Sequence, residues 1–507
     1  MNRWGASGVV VNYILPFCSP DVFCRDTYPE PPVNLLRFFA LFTGRLVLSF
    51  VENNFTVPPP ITVAKFGGTS VADHAAMSRS AKIIKDNPAT KVVLISACSG
   101  VTNLLVELAN GIADNEQRSQ RLQQLHTTHQ SIIDQLDEPQ AVTSQIDQLL
   151  GSVATLAEQA AQAPSVQLTD HLVAHGELLS TYLFTQILCE MGATAQRFDI
   201  RQVMRTDSQF GKAIPDIDTI SQLAKEHLQP LLADDQVVIS QGFIGSEPNG
   251  ITTTLGRGGS DYSAALVAEA IKAETLEIWT DVPGMYSTDP RITANAKPIN
   301  EISFSEASEM ANFGAKILHP STLLPAVRQQ IPVFIGSSKA PEQGGTWIRD
   351  KVTEAPLFRA LALRCNQTMV TLTSLNMFHA YGFLAEVFRI LAEHKVSVDL
   401  ITTSEVSVSL TLDQTDTSGG APSLPPAALE ALSQLCRVEV EQDLCLVALI
   451  GNQMSETKGS AKQVFATLED FNLRMICYGA SPHNLCFLVK TNDSKQVVKA
   501  LHQELFE

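Results

Sequence analysis

Apolar residues follow two rhythms along this chain, unbroken short runs and helical spacings, and from Ile61 onward the two alternate. Residues 61–65 (ITVAK) predict a short strand, and Asp73 is suited to cap the helix that follows. The run 91–97 (KVVLISA) is continuously apolar except for its ends, the pattern of a parallel strand buried on both faces. Helical spacing dominates from Leu104 to about Met191. Residues 237–244 and 276–280 predict further buried strands, with a helix over 261–273 between them. Strands alternating with helices imply a layered α/β domain with a largely parallel sheet over residues 61–350.

The pattern changes after Pro356, where an internal repeat appears at a spacing of 77 residues. Val387-Phe388 corresponds to Val464-Phe465, Leu391 to Leu468, Val396 to Leu473, Ser404 to Ser481 and Leu410 to Phe487. Each copy predicts strand, helix, strand, strand, and residues 415–426, rich in Thr, Ser, Gly and Pro, predict a loop between them. Two such βαββ units are too few for a solenoid and suit a paired regulatory module. The expected organisation is an extension over 1–60, a catalytic domain over 61–350 and two small α+β domains over 351–440 and 441–507.

The first sixty residues have bulky apolar residues without clean periodicity, and prolines that include Pro58-Pro59-Pro60. They lack a basic start followed by an apolar core and a small-residue cleavage site, and they carry Asp21, Asp26, Glu30 and Glu52. They read as an appendage from translated upstream sequence that the rest does not need, with a targeting segment as the alternative. Residues 33–51 are the nearest approach to a membrane span, but Arg37 and Arg45 interrupt them.

The net charge of -17 would repel nucleic acid and anionic membranes, so neither is expected as a partner. A local cluster of Lys and Arg can still hold a small anion. The nine cysteines show no CxxC pair and no Cys/His ligand spacing. They read as free or buried thiols in a reducing compartment, with neither structural zinc nor a disulfide framework, and the expected location is cytoplasmic.

Three segments carry candidate chemistry. Lys65-Phe66-Gly67-Gly68-Thr69-Ser70 leaves a buried strand and enters a helix. Its glycine N–H groups, the helix N-terminus and the Lys65 charge suit an anion, although alone the run is equally an ordinary βα turn. Residues 252–261 (TTTLGRGGSD) also lead from strand to helix and offer backbone donors, hydroxyls, Arg257 and Asp261. Residues 279–286 (WTDVPGMY) place Asp281 just after an apolar strand, where ligands gather in open α/β sheets; a capped Pro-Gly turn is the plainer reading. Neither glycine cluster has the G-x-G-x-x-G spacing of a dinucleotide fold, and no G-x-x-x-x-G-K-[ST] occurs, which excludes a P-loop NTPase.

Together KFGGTSV, LGRGGSDY, WTDVPGMYSTDPR and FGAKILHP resemble the amino-acid kinase family, and within it the aspartate kinases of the monofunctional, lysine-sensitive type. The resemblance spans Ile61 to the end, and the repeat resembles two tandem ACT domains. It implies ATP-dependent phosphorylation of the β-carboxylate of L-aspartate, the step that opens the route to lysine, threonine and methionine, with Mg2+ accompanying ATP. It implies Lys65, Gly67, Gly68, Asp261 and Lys316 as phosphate-handling residues, with Asp261 orienting Lys65. Arg257 would clamp a substrate carboxylate, Glu177 would meet the ammonium, and Thr102 and Ser260 would add contacts. Phe66, Thr280, Asp281, Tyr286, Arg291 and Ile317 would join Lys65, Gly67, Gly68 and Lys316 around ATP. No side chain is assigned to the metal. His175 reads as structural, and without the resemblance Glu177 reads as an exposed helical acid.

The first repeat alone has two acids, Asp399 and Glu405, where the second has Ile476 and Pro482. That asymmetry points to a cationic amino acid, and the resemblance makes L-lysine the expected inhibitor. The implied pocket comprises Met377, Gly382, Phe383, Leu384, Val398, Asp399, Ser404 and Glu405, with Ala380 where the family often has a hydroxyl. ACT pairing implies at least a homodimer. The rivals are a kinase of the same fold acting on glutamate, acetylglutamate or carbamate, and a catalytically silent amino-acid sensor.

Overall fold

The computed structural model describes residues 60–507, except 234, 315–317, 319, 378–380, 414–420 and the side chain of Asn376. The expectations for the N-terminal extension, Lys316, Ile317 and Ala380 therefore lie outside the described residues. Pro59–Glu507 forms one compact unit.

The strands are β1 (Thr62–Phe66), β2 (Thr90–Ile95), β3 (Ala195–Arg197), β4 (Val237–Gln241), β5 (Ile244–Ser246), β6 (Thr252–Thr254), β7 (Thr275–Thr280), β8 (Glu301–Ser303), β9 (Val333–Ser337) and β10 (Gly345–Arg349). Eight of them form one sheet in the order β3-β4-β2-β1-β7-β9-β10-β8. Every pairing in it is parallel except β9 with β10. β1 lies at the centre with all five residues buried, so it shows no alternation of buried and exposed positions, and Lys65 is a buried charge within it.

The helices over this region are α1 (His74–Asp86), α2 (Val101–Ala109), α3 (Asn115–Ile133), α4 (Gln140–Gln162), α5 (Val166–Glu190), α6 (Ile217–Leu223), α7 (Gly259–Ile271), α8 (Phe304–Asn312) and α9 (Pro320–Gln329). Alternate residues of the central strands enter different cores. Val63, Leu94 and Ile278 join residues of α7 and α9. Ala64, Phe66, Val93 and Ile95 join residues of α1, α2 and α5. Asp73 caps α1, its Oδ1 accepting the Ala76 N–H at 2.8 Å.

The run expected to be one strand over 237–244 is broken. β4 stops at Gln241, and the chain turns at Gly242 and Phe243 (φ 70°) into the β5–β6 hairpin. The reason is tertiary: a Cβ on Gly242 would stand 2.8 Å from the Ser260 Cβ, so the backbone there abuts the start of α7.

The repeat region contains β11 (Phe358–Thr373), α10 (Phe383–Glu393), β12 (Val398–Thr403), β13 (Ser407–Leu412), α11 (Pro426–Leu435), β14 (Arg437–Gly451), α12 (Ser460–Thr467), β15 (Met475–Tyr478), β16 (Asn484–Lys490) and α13 (Thr491–Phe506). Both copies follow the expected strand-helix-strand-strand order. Their strands form one antiparallel sheet, β12-β13-β11-β14-β16-β15. The long strands β11 and β14 serve both halves, since 369–373 pair with 437–441 while 358–364 pair with 446–451. Cys365 on β11 and Cys445 on β14 are disulfide-bonded across this seam, which corrects the expectation that all thiols are free. They are 80 residues apart, so only the strand register brings them together. Among the described residues, no helix is long and apolar enough to cross a membrane.

Candidate active site

Because β2, β1 and β7 are parallel neighbours, their carboxyl ends open on the same edge of the sheet. Gly67 leaves β1 with its N–H donated to the Trp279 carbonyl at the end of β7, 3.0 Å away. A Cβ on Gly68 would stand 2.9 Å from the Ala97 carbonyl oxygen, so no larger residue fits without moving the backbone. The turn continues as a 3-10 segment, Gly68–Val71, before α1 begins. The α1 N-terminus is occupied by the Asp73 carboxylate. The Gly67 N–H is thus already engaged and Asp73 caps α1, which leaves Lys65 and the rest of the turn, not the α1 N-terminus that the sequence suggested, as the groups at this edge suited to an anion. The Phe66 side chain is fully buried, 6.0 Å from the Phe184 ring and 6.2 Å from the Trp279 ring, so only its main chain can face a nucleotide.

Lys65 projects from the same strand with 8% exposure, and its Nζ lies 2.5 Å from Asp261 Oδ1. Asp261 stands in the first turn of α7. Gly256 and Gly258 both adopt left-handed conformations (φ 73° and 72°) and bracket the exposed Arg257. The polar glycine-rich segment thus does two things: it presents a cation outward and anchors the Lys65 ammonium within. Ser260 is half-buried at the start of α7.

Glu177 on α5 is not the exposed acid its sequence context suggests; it is 3% exposed. Its Oε1 accepts the Ala97 N–H at 3.1 Å, while Oε2 has no hydrogen-bond partner among the described residues. Burial pushes its carboxyl up to about 8, against the Ala97 hydrogen bond and the Lys65 charge, which act to lower it. A buried carboxyl with one open oxygen is suited to a cation that arrives with a ligand. His175, two residues earlier, is buried, and burial holds it down to about 4, so its ring is neutral. Its Nδ1 lies 2.8 Å from the His171 carbonyl, as expected of a structural histidine. Thr102 is half-buried in the first turn of α2, after Gly100 at φ 83°.

At the end of β7, Thr280 is half-buried and Asp281 exposed. The Thr280 hydroxyl donates to Asp281 Oδ1 at 3.3 Å. Tyr286 is half-buried and bridges Pro298, and exposed Arg291 pairs with Asp289 at 2.7 Å. The approach to Lys316 runs through α8, Phe313 and Gly314, which has φ 106°.

In the repeat region, Gly382 (φ 87°) caps α10, which Phe383 and Leu384 begin, and Met377 lies in a 3-10 turn just before. Val398 and Asp399 open β12, while Ser404 and exposed Glu405 follow its end, the Ser404 hydroxyl 2.7 Å from the Ser407 hydroxyl. Asp399 forms an ion pair with Arg364, a partner absent from the sequence reading. Arg364 Nη1 also donates to the Asn312 carbonyl at the end of α8, 3.1 Å away. No local signal exposes this link, because Arg364 and Asp399 are 35 residues apart on strands whose pairing is set by the sheet. A second bridge joins α8 to the repeat region: buried Glu306 accepts from Arg359 at 2.9 Å and from Asn452 at 2.7 Å.

The fold and its repeat have counterparts among known proteins. The amino acid kinase family matches residues 60–337, and an ACT domain matches residues 370–423 and 447–505. The chain is 58% identical to the lysine-sensitive aspartokinase 3 of Escherichia coli, over 88% of this chain and 99% of that protein. It is 32% identical to the chloroplastic aspartokinase 1 of Arabidopsis thaliana, over 88% of this chain and 80% of that protein. Among solved structures it resembles E. coli aspartokinase III in complex with aspartate and ADP, described as the R-state. The TM-score there is 0.82, over 88% of this chain and 100% of the other. Against the T-state of that enzyme, in complex with lysine and aspartate, the TM-score is 0.75 at 57% identity with the same coverage. By sequence and by fold alike, this chain belongs to the amino acid kinase family, among its aspartokinases.

Proposed function

We propose that this protein transfers the γ-phosphoryl group of ATP to the β-carboxylate of L-aspartate, giving 4-phospho-L-aspartate and ADP, and that L-lysine inhibits it. The observation that carries this reading is Lys65, held by Asp261 beside the Gly67–Gly68 turn, with the open oxygen of Glu177 near enough for the two charges to interact. One group suits phosphate and the other an amino acid's ammonium.

A carboxylate is ionised at neutral pH, so its oxygen attacks phosphorus without giving up a proton. The bond from phosphorus to the β-phosphate oxygen breaks and its electrons leave with ADP. The protein's task is to hold two anions in line and spread the charge of the transferring group. In this reading Lys65 and the Gly67–Gly68 turn take the phosphates, Gly67 by keeping the turn close since its N–H is held by the Trp279 carbonyl, and Asp261 fixes the Lys65 ammonium. Arg257 holds an aspartate carboxylate, a geometry guanidinium suits. Glu177 meets the ammonium, with Thr102 and Ser260 beside it. Thr280, Asp281, Tyr286, Arg291, Lys316, Ile317 and the Phe66 main chain complete the nucleotide side.

Mg2+ accompanies ATP and neutralises phosphate charge. The product stands at the entry to lysine, threonine and methionine synthesis. Lysine binds at Met377, Gly382–Leu384, Val398, Asp399, Ser404 and Glu405. Leu384 and Phe388 on α10 are exposed at 39% and 40%, which supports a homodimer formed through the repeat region.

The test is ADP release with ATP and aspartate, glutamate, acetylglutamate or carbamate, with and without lysine, threonine or methionine. Turnover on aspartate alone, inhibited by lysine, is expected. Turnover on another acceptor, or inhibition by threonine alone, refutes the reading. Arg257→Ala should raise the aspartate KM far more than the ATP KM.

A further inference from the structure

Asp170 lies two helical turns before Glu177 on α5 and therefore on the same face. It is 1% exposed, and its carboxylate gathers three hydrogen bonds from two other segments. Oδ1 accepts the Thr254 hydroxyl at 2.7 Å, and Oδ2 accepts the N–H groups of Thr254 and Gly211, each at 2.9 Å. Thr254 is the last residue of β6, three positions before Arg257. The Gly211 segment reaches the same place from the other side. The Ala213 N–H donates to the Thr254 carbonyl at 2.9 Å, and a Cβ on Gly256 would stand 3.2 Å from the Gly211 carbonyl oxygen. One buried carboxylate thus ties the root of the Arg257 turn to the helix that carries Glu177.

We propose that Asp170 is a positioning residue: through Thr254 it sets where the Arg257 guanidinium stands relative to Glu177, and so governs the fit of aspartate but not of ATP. This rests on the reading that Arg257 and Glu177 hold aspartate. Aspartate must reach a cation with its carboxylate and an anion with its ammonium at once, so the separation of the two protein groups selects the ligand. Of the ATP-facing groups, Gly67 is held by the Trp279 carbonyl of β7, and Lys65 stands on β1 and pairs with Asp261 inside α7, beyond the turn that Thr254 roots, so both are less exposed to this tie than Arg257.

The bonding pattern distinguishes positioning from charge. In Asp170→Asn the amide oxygen can take the place of Oδ2 and accept both N–H groups, while the amide nitrogen donates to the Thr254 hydroxyl. Asp170→Ala loses all three bonds. Asp170→Ala is expected to raise the aspartate KM about tenfold or more with the ATP KM within about twofold, since misplacement of about 1 Å can cost far more than that. Asp170→Asn should restore the aspartate KM to within about threefold of the parent, because the bonds survive. If Asp170 acts through Arg257, adding Asp170→Ala to Arg257→Ala should change the aspartate KM by less than about twofold, a clear departure from additivity. Thr254→Val removes one bond of the three and, where Asp170→Ala fails to fold, carries the same cycle with an expected rise of about threefold.

Equal effects on both KM values overturn the proposal. So do full additivity with Arg257→Ala and failure of Asp170→Asn to rescue. If Arg257→Ala itself leaves the aspartate KM unchanged, the underlying assignment of the substrate site falls first, and that outcome is read from the single variant alone.

Discussion

Glu177 offers a quantitative test, because its free carboxyl titrates at about 8 and its task would require the carboxylate. In the free enzyme burial favours the neutral acid. An incoming ammonium favours the ion, so binding must expel the proton. The apparent aspartate KM should then vary as one plus the ratio of protonated to ionised Glu177. From pH 8 to pH 6 that factor grows about fiftyfold, and below pH 7 it approaches tenfold per pH unit, about 1.4 kcal/mol each. The substrate's own carboxylates titrate near pH 4 or below and add no slope in this range. The assay is coupled ADP release at saturating ATP, with aspartate varied at each pH. Glu177→Gln cannot titrate, so its aspartate KM should be flat from pH 6 to 8. It should also be higher than the parent's at pH 8 by about 1–2 kcal/mol, the difference between a charge-assisted and a neutral hydrogen bond. Stability gives a second readout of the opposite sign. The folded acid keeps its proton up to about 8 while the unfolded one loses it at its ordinary value, so Glu177 costs the free enzyme stability progressively as pH rises through that window. Glu177→Gln should therefore melt higher than the parent at pH 8 and gain less at pH 5. A parent KM that is flat between pH 6 and 8, or a slope that survives in Glu177→Gln, would refute the assignment.

Lys65→Ala should lower aspartate-dependent ADP release by about a thousandfold or more, as removal of a transition-state charge does, while circular dichroism shows the fold intact; near-normal turnover would overturn the site. Gly68→Ala places a methyl carbon 2.9 Å from the Ala97 carbonyl oxygen, and overpacking there should cost about 1–3 kcal/mol, measured as weaker ADP binding by calorimetry. Arg364→Ala frees Asp399 from its ion pair, so lysine should bind up to about fivefold more tightly, about 1 kcal/mol; weaker binding would exclude Asp399 as the lysine ligand.

Much of the architecture was legible before any coordinate was known. The apolar run of β2, the Asp73 cap and the helix α7 stand within a residue or two of where periodicity puts them. These features are local: a strand buried on both faces must be apolar throughout, and a capping side chain must precede its helix. The Gly67–Gly68 turn was legible for the same reason, since a tight turn beside a lysine announces itself in six residues. The break at Gly242–Phe243 was not, because 237–244 is apolar enough to be one strand and only the approach of α7 interrupts it.

Sequence alone determined the alternation of strands and helices, the duplicated unit, the acids confined to its first copy, and the motifs whose combination identifies the family. Tertiary structure alone decided the state of the charged groups. Glu177 looks like a solvated acid until α5 is packed against Ala97, and only burial raises its proton affinity. The partnerships Lys65–Asp261, Asp399–Arg364 and Asp170–Thr254, and the Cys365–Cys445 bond, join residues 35 to 196 positions apart. Spacing along a chain encodes which face a residue takes. It does not encode which distant residue it meets, because that depends on how the sheet orders its strands.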